Sequence, residues 1–264
     1  MTVQVLVATM NQAAGDHSLL QKMNIQSDVI VCNQCDRYEA EEFTYNGHRV
    51  RWLSFAERGV GLNRNNALMR ADADIVLFSD DDVRYEDGYA ERVVRFYEEN
   101  PTADVVIFNM LWRRAADQPF EEKVKRTGRV HRKGVTKYGT VCVSARLSRL
   151  RFANVNFHLN FGGGATYSCG EDSLFLQDCV AKKLRVFTCT SILGRVECGE
   201  SSWFEGYTDK FFFDKGVLYF AMNRYLCKGY ALYHCVKHRR RYAEYGWWAA
   251  YRQMCRGIRE GATK

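Results

Sequence analysis

The 264 residues, 47% hydrophobic and 26% charged, are enough for one sizeable core, and with only 2 Pro and no repeat or low-complexity tract they exclude a disordered, collagenous or solenoid chain. No apolar run approaches the roughly 18–20 residues that cross a bilayer. Met1 leads straight into the strand-like VQVLVA with no long apolar signal region, so a cytoplasmic protein is expected.

In chain order, short β-rich runs fall at 3–8 (VQVLVA), 28–32 (DVIVC), 49–53 (RVRWL), 74–79 (DIVLFS) and 104–109 (DVVIFN), separated by segments of helical length. Between them, Leu62, Ala67, Leu68 and Ala71 share one side of a helix predicted near 60–71. Tyr89, Val93, Phe96 and Tyr97 do the same between Glu86 and Asn100, where Asn100-Pro101 ends the helix. Further strands are predicted at 139–145 (GTVCVSA) and 184–189 (LRVFTC), with a helix at 172–182, and an aromatic, basic stretch from about 211 reads as helices. This alternation predicts an α/β fold, a mainly parallel mixed sheet flanked by helices, whose ligands lie beyond the carboxyl ends of the strands. No sharp linker marks a second domain; the division expected is the α/β unit over 1–223 and a basic, aromatic helical tail over 224–264.

Charge is segregated along the chain. Residues 1–112 carry 10 Lys/Arg against 18 Asp/Glu, residues 113–151 carry 12 against 3, and residues 224–264 carry 10 against 2. An acidic first half followed by two basic stretches suits a chain that binds a cation and polyanionic groups. The 10 Cys are spread through a core-forming chain and read as reduced thiols; Cys32-x-x-Cys35 lacks the second pair a structural zinc site would need.

Two acidic clusters carry chemistry. Asp80, Asp81 and Asp82 follow directly on the apolar run IVLF, and three carboxylates at the tip of a buried strand repel one another unless a cation or hydrogen-bond donors offset them. Mg²⁺ and Mn²⁺ do so with one or two carboxylates, phosphate oxygens and water. The bland alternative is capping of the following helix. Glu171 and Asp172 come after FGGGA and open a helix; a carboxylate there can take a proton from a sugar hydroxyl, or merely suit the helix dipole. FGGGA lacks phosphate-loop spacing and reads as flexible backbone near a bulky ligand. Arg58, Arg64 and Asn65 stand where a loop becomes a helix, suited either to phosphate or nucleobase contacts or to salt bridges.

Taken together and in this order, VATMNQ, DVIVCNQCD, GLNRNNALMRADADIVLFSDDDV, FGGGATYSCGED and ESSWFEGYTDKFFFDKGVLYF resemble the inverting family 2 glycosyltransferases of GT-A fold, especially bacterial members linked to surface polysaccharides, over about 3–225. The resemblance implies a nucleotide-sugar donor, with UDP the commonest nucleotide, and a divalent metal, Mn²⁺ or Mg²⁺. It maps Thr9, Asn11 and Asp36 to nucleoside contacts, Arg64, Asp80 and Asp81 to the donor side, and Asp82 with Asp80 to the metal. Asp172, or failing that Glu171, maps to the base that deprotonates the acceptor. Relatives often carry a His before the Ser-Ser-Trp-like segment, where this chain has Glu197 and Cys198; Glu197 is the candidate replacement ligand. Asn33-Gln34 stands where many relatives have an acidic pair.

The acceptor implied is a glycan or a lipid-linked oligosaccharide. The stretch KHRRRYAEYGWWAAYRQMCRGIR either packs its aromatics on the catalytic domain or rests on an anionic membrane face. Three rivals remain open: a nucleotidyltransferase acting on sugar phosphates, a non-catalytic basic nucleic-acid binder, and a degenerate glycosyltransferase that binds donor without turnover. No nucleic-acid partner is expected of the glycosyltransferase itself.

Overall fold

The computed structural model describes residues 1–113, 117–197 and 206–263, with the backbone alone at Arg132, Lys133 and Glu197. The elements run β1 (Val3–Met10), α1 (Ser18–Lys22), β2 (Asp28–Gln34), β3 (Glu39–Tyr45), β4 (His48–Phe55), α2 (Val60–Arg70), β5 (Ile75–Asp80), β6 (Val83–Tyr85) and α3 (Tyr89–Glu99). They continue with β7 (Val105–Arg113), β8 (Glu121–Glu122), β9 (Gly128–Arg129), α4 (Arg132–Val135), β10 (Val143–Arg146), α5 (Leu147–Phe152) and α6 (Glu171–Ala181). The chain then forms β11 (Val186–Glu197), α7 (Asp209–Met222), α8 (Cys227–Lys237) and α9 (Trp247–Thr263).

One mixed sheet of 11 strands organises the molecule, in the order β3-β4-β2-β1-β5-β10-β7-β11-β6, with β8 on β7 and β9 on β11. β4, β2, β1 and β5 are mutually parallel, so their carboxyl ends share one edge, and Thr9 sits opposite Asn33 there. β1, β2 and β5 are largely apolar runs covered on both faces, as parallel strands require, while β4 alternates buried and more exposed positions. Val5, Val29, Val31, Val50 and Leu77 are fully buried. At about 1.5–3 kcal/mol for each large side chain taken out of water, this layer supplies the main favourable term of the fold. α3 covers it with Tyr89, Val93, Phe96 and Tyr97, the stripe legible in the sequence.

Several elements differ from expectation, α1, β6, β8, β9, α4 and α5 having no forerunner in the sequence reading, and three further differences shape the sheet. β3 was not foreseen: its acidic side chains have low strand preference, yet it pairs antiparallel with β4 through a tight turn in which Asn46 and Gly47 both have positive φ, 50° and 81°. The strand predicted over 139–145 begins as a 3₁₀ turn at Thr140–Cys142, and only Val143–Arg146 enters the sheet, antiparallel between β5 and β7. β11 runs to Glu197 because two register shifts against β7 let it bend and continue.

A second apolar cluster lies in the C-terminal helices, where Phe212, Ala231, Cys235, Tyr242, Ala250 and Met254 are buried together. α7 and α9 cross at two glycines: a Cβ at Gly216 would fall 2.0 Å from the Met254 carbonyl oxygen, and one at Gly257 1.9 Å from that of Phe213. Only glycine lets these backbones touch. Among the described residues no helix is long and apolar enough to cross a membrane.

Candidate active site

An aromatic trio sets the floor of the site. Phe157 and Phe175 stack with ring centroids 4.2 Å apart, and Phe78 meets both edge-on at 5.2 and 5.4 Å. Phe78 lies two residues before Asp80 on β5, and Phe175 one helical turn after Glu171 on α6, so packing of the rings brings the two acidic clusters to one place. Asn65 of α2 locks the Phe157 backbone from above, donating to its carbonyl at 2.9 Å and accepting from its N–H at 2.8 Å.

Arg64, one residue earlier on α2 and 4% exposed, lies over the Phe157 ring and reaches three carboxylates. Its Nη2 donates to Asp80 Oδ1 at 2.7 Å, and its Nη1 to Asp172 Oδ1 at 2.9 Å and Glu171 Oε1 at 3.3 Å. Burial opposes the charge on Arg64, but Asp80, Asp172 and Glu171 outweigh it and hold the guanidinium protonated. Its Nε has no hydrogen-bond partner among the described residues.

The carboxylates outnumber their cation, and their protonation reflects it. Burial, reinforced by Asp172, pushes Glu171 up to about 7 although Arg64 opposes this. Burial likewise raises Asp80 against the pull of Arg64, with Asp172 and Asp81 adding to the rise. Asp172 is 30% exposed and accepts a short hydrogen bond from Thr140 Oγ1. Asp81 accepts from Thr9 Oγ1 at 2.6 Å, and Thr9 in turn accepts from Gln12 Nε2 at 2.9 Å. Asp82 stands at the exposed turn between β5 and β6. Partial burial of its carboxylate, with Asp80 and Asp81 beside it, pushes Asp82 up to about 6. Among the described residues it has no ion-pair partner, and no group of three His, Cys, Asp or Glu is arranged to hold a metal ion.

Thr9, Asn11, Arg64, Asp80, Asp81, Asp82, Glu171 and Asp172 thus gather at the carboxyl edge of the parallel strands. Asn11, with φ of 57°, binds its backbone N–H to the Gln34 carbonyl and accepts from Arg58 at 3.2 Å. Asp36 is exposed just beyond β2, beside Arg37. Glu197 closes β11 opposite Arg113 in register, its side chain lying outside the described residues, as does all of Cys198. The glycine run is packed backbone where the sequence suggested flexible backbone: a Cβ at Gly162 would come within 2.6 Å of Val60 and 2.8 Å of the Glu171 carboxyl. Thr140 escaped notice because nothing in GTVCVSA marks it; only the fold, by bending that segment into a 3₁₀ turn, sets its hydroxyl on Asp172.

The family described as glycosyl transferase family 2 matches residues 17–156, just over half of the chain. The chain belongs to that family. A search of curated proteins finds no match. Among solved structures, residues 1–349 of S. aureus TarS in complex with UDP-GlcNAc superpose with a TM-score of 0.62 at 18% identity, over 84% of this chain and 66% of that one. The same TarS segment with UDP gives 0.59 at 17% identity, over 84% and 65%. A longer S. aureus TarS structure gives 0.59 at 17% identity, over 83% and 39%. This glycosyltransferase spans less than two thirds of each TarS chain. The likeness establishes the shared GT-A architecture, a mixed sheet flanked by helices with a helical C-terminal region.

Proposed function

We propose that this glycosyltransferase moves a sugar from a UDP-sugar to a hydroxyl of a glycan or lipid-linked oligosaccharide by a single, inverting displacement. The observation that carries the reading is the Arg64 guanidinium, which joins Asp80 at the strand tip to Asp172 at the helix start. Asp172 is the acceptor base: it remains partly exposed, and Arg64 and Thr140 both bond its Oδ1, which fixes its orientation and leaves Oδ2 without a hydrogen bond among the described residues to take the proton. Glu171, 12% exposed and raised to about 7, is poorly placed to stay ionised and is the second choice.

On the donor side, Thr9, Asn11 and Asp36 surround the edge where a nucleoside would lie, and Asp80 and Asp81 border the sugar and phosphates. UDP is the nucleotide we favour, in keeping with the UDP and UDP-GlcNAc complexes of TarS. The residues present fit a divalent cation. Asp82 is a carboxylate crowded by like charge and free of an ion-pair partner among the described residues, and Mg²⁺ or Mn²⁺ needs only one or two carboxylates beside phosphate oxygens. Asp82 would hold it, with Asp80 beside it and Glu197 as a further candidate; when bound, the cation stabilises charge on the departing diphosphate.

The catalytic unit is proposed to span 1–223, with 224–264 as a helical tail. α8 buries Cys227, Ala231 and Cys235 on one side and exposes Leu232 and Val236 on the other, beside the exposed Arg224, Lys228 and Arg239 to Arg241. That outward face suits peripheral contact with an anionic membrane; failure to sediment with anionic vesicles at low salt would dismiss it. The transfer reading is tested by thermal shift with UDP-, GDP- and dTDP-sugars, with and without Mn²⁺, and by Asp172→Asn. Expected are metal-dependent stabilisation by the uridine donor and a loss of about 10²–10⁴ in kcat with donor binding retained. Release of pyrophosphate in place of UDP would point to a nucleotidyltransferase.

A further inference from the structure

Away from the carboxylates, a cleft of about 860 Å³ opens between α6, the segment after α4, and helices α7 and α8. Its floor is a neutral hydrogen-bonded chain: His234 Nδ1 meets the Tyr219 hydroxyl at 2.7 Å and its Nε2 meets that of Tyr242 at 2.6 Å. Burial first, then the nearby Lys215, His238 and Lys237, push His234 down to about 4, so the ring stays uncharged at neutral pH. Tyr230 and Tyr233 form one wall, the latter 65% exposed, and Gln177 another. Lys137 and Lys237 stand at the rim; no Asp or Glu lines the cleft, and neither ammonium has a carboxylate partner among the described residues.

This chemistry selects its ligand. Tyrosine rings offer apolar faces to the C–H side of a sugar, while their hydroxyls and the Gln177 amide offer hydrogen bonds to its edge. Two lysines without opposing acids suit phosphate or carboxylate substituents. The volume falls within the range of small-molecule sites, about 300–1,000 Å³. A bilayer would meet the opposite side of α8, at Leu232 and Val236, which do not line the cleft.

Position ties the cleft to the reaction. Ser173, next to Asp172, donates to the Thr136 carbonyl at 3.3 Å, and Gln177 lies one turn further on the same helical face. The segment 136–140 therefore runs from the cleft, at Thr136 and Lys137, to Thr140 on the Asp172 carboxylate. Gln177 is five residues along α6 from Asp172, a rise of about 8 Å.

We propose that this cleft is an outer acceptor subsite for an anionic saccharide, holding sugar rings on Tyr230 and Tyr233 and their phosphate or carboxylate groups on Lys137 and Lys237. The assignment rests on Asp172 being the acceptor base. The test uses the full chain and calorimetric binding of four probes: a hexauronate, a phosphorylated hexasaccharide, neutral maltohexaose and inorganic phosphate. The charged probes bind, maltohexaose binds at least tenfold more weakly, Lys137→Ala with Lys237→Ala weakens the charged probes at least tenfold, and Tyr233→Ala weakens them as well. Hydrolysis of the UDP-sugar stays unchanged in these variants, and its presence in the wild type separately gauges the transferase reading. Equal binding of maltohexaose, inorganic phosphate binding as tightly as the phosphorylated hexasaccharide, indifference of both charged probes to the lysine variants, or no binding of either charged probe would overturn the proposal.

Discussion

The carboxylate centre and the C-terminal helical cluster are built on opposite principles. Around Arg64, three carboxylates share one buried guanidinium, and Glu171 and Asp80 are held above their ordinary pKa by burial. Around Phe212, the helices bury aromatic and small residues, and His234 beside them is kept neutral between two tyrosine hydroxyls. The helical cluster gains stability from packing; the charged centre holds an arrangement that packing alone would not choose. Sites that perform chemistry commonly show this, because groups tuned to exchange protons or hold charge are groups the solvent would otherwise keep.

The sharpest way to break the contrast is Arg64→Leu. It leaves three carboxylates facing one another with no cation, and loss of one partner from a buried ionic cluster costs about 3–5 kcal/mol. Protonation relieves the repulsion, so the deficit measured by urea unfolding is expected to be larger at pH 8 than at pH 5. A pH-independent loss would mean that Arg64 contributes mainly through packing on Phe157.

Glu171→Gln acts in the other direction. The folded-state pKa of Glu171 is raised from 4.5 to about 7, so the folded protein binds this proton more tightly than the unfolded chain does. Its favourable contribution is complete below about 4.5 and is lost as pH rises through about 7. Above that window the ionised carboxylate destabilises the fold, and the variant is expected to be more stable than the wild type at pH 8, by on the order of 2–3 kcal/mol, and nearly equal at pH 4. Equal stability at both pH values would show that Arg64 fully compensates the charge.

How much of this was legible before folding depends on the range of the interaction. β1, β2, β5 and β7 are short runs rich in Val and Ile, β4 alternates apolar with polar residues, and the acidic clusters stand at element ends, so all are local signals. The hairpin of β3 was also local, marked by Asn46-Gly47, but three Glu in the strand masked it. What joins the clusters is not local: Arg64 meets Asp80 across 16 residues and Asp172 across 108. The sequence offered Arg64 either phosphate or salt bridges, and nothing within a short window chooses. Gly216 and Gly257 likewise read as weak points in helices until the crossing shows why a side chain is excluded.

That crossing gives the smallest expected effect and links the two regions. α7 touches α9 through Gly216 and, two residues later, presents Leu218 to Gly170, where a Cβ would fall 2.4 Å from the Leu218 side chain. Gly170 immediately precedes Glu171 and sets the start of α6, so the helical cluster braces the end of the helix that carries the carboxylates. Gly257→Ala forces the Phe213 carbonyl aside and is expected to cost about 1–3 kcal/mol by overpacking. If α7 transmits the shift through Leu218, kcat falls along with stability while the midpoint of donor-induced thermal stabilisation stays put, because Thr9 lies on β1 and Asn11 just beyond it, where α7 does not brace the chain. An unchanged kcat with the same loss of stability would show that the two regions are neighbours and no more. A joint fall in kcat and donor affinity would instead place the brace beneath Arg64, whose bonds to Asp80 and Asp172 join both sides of the site.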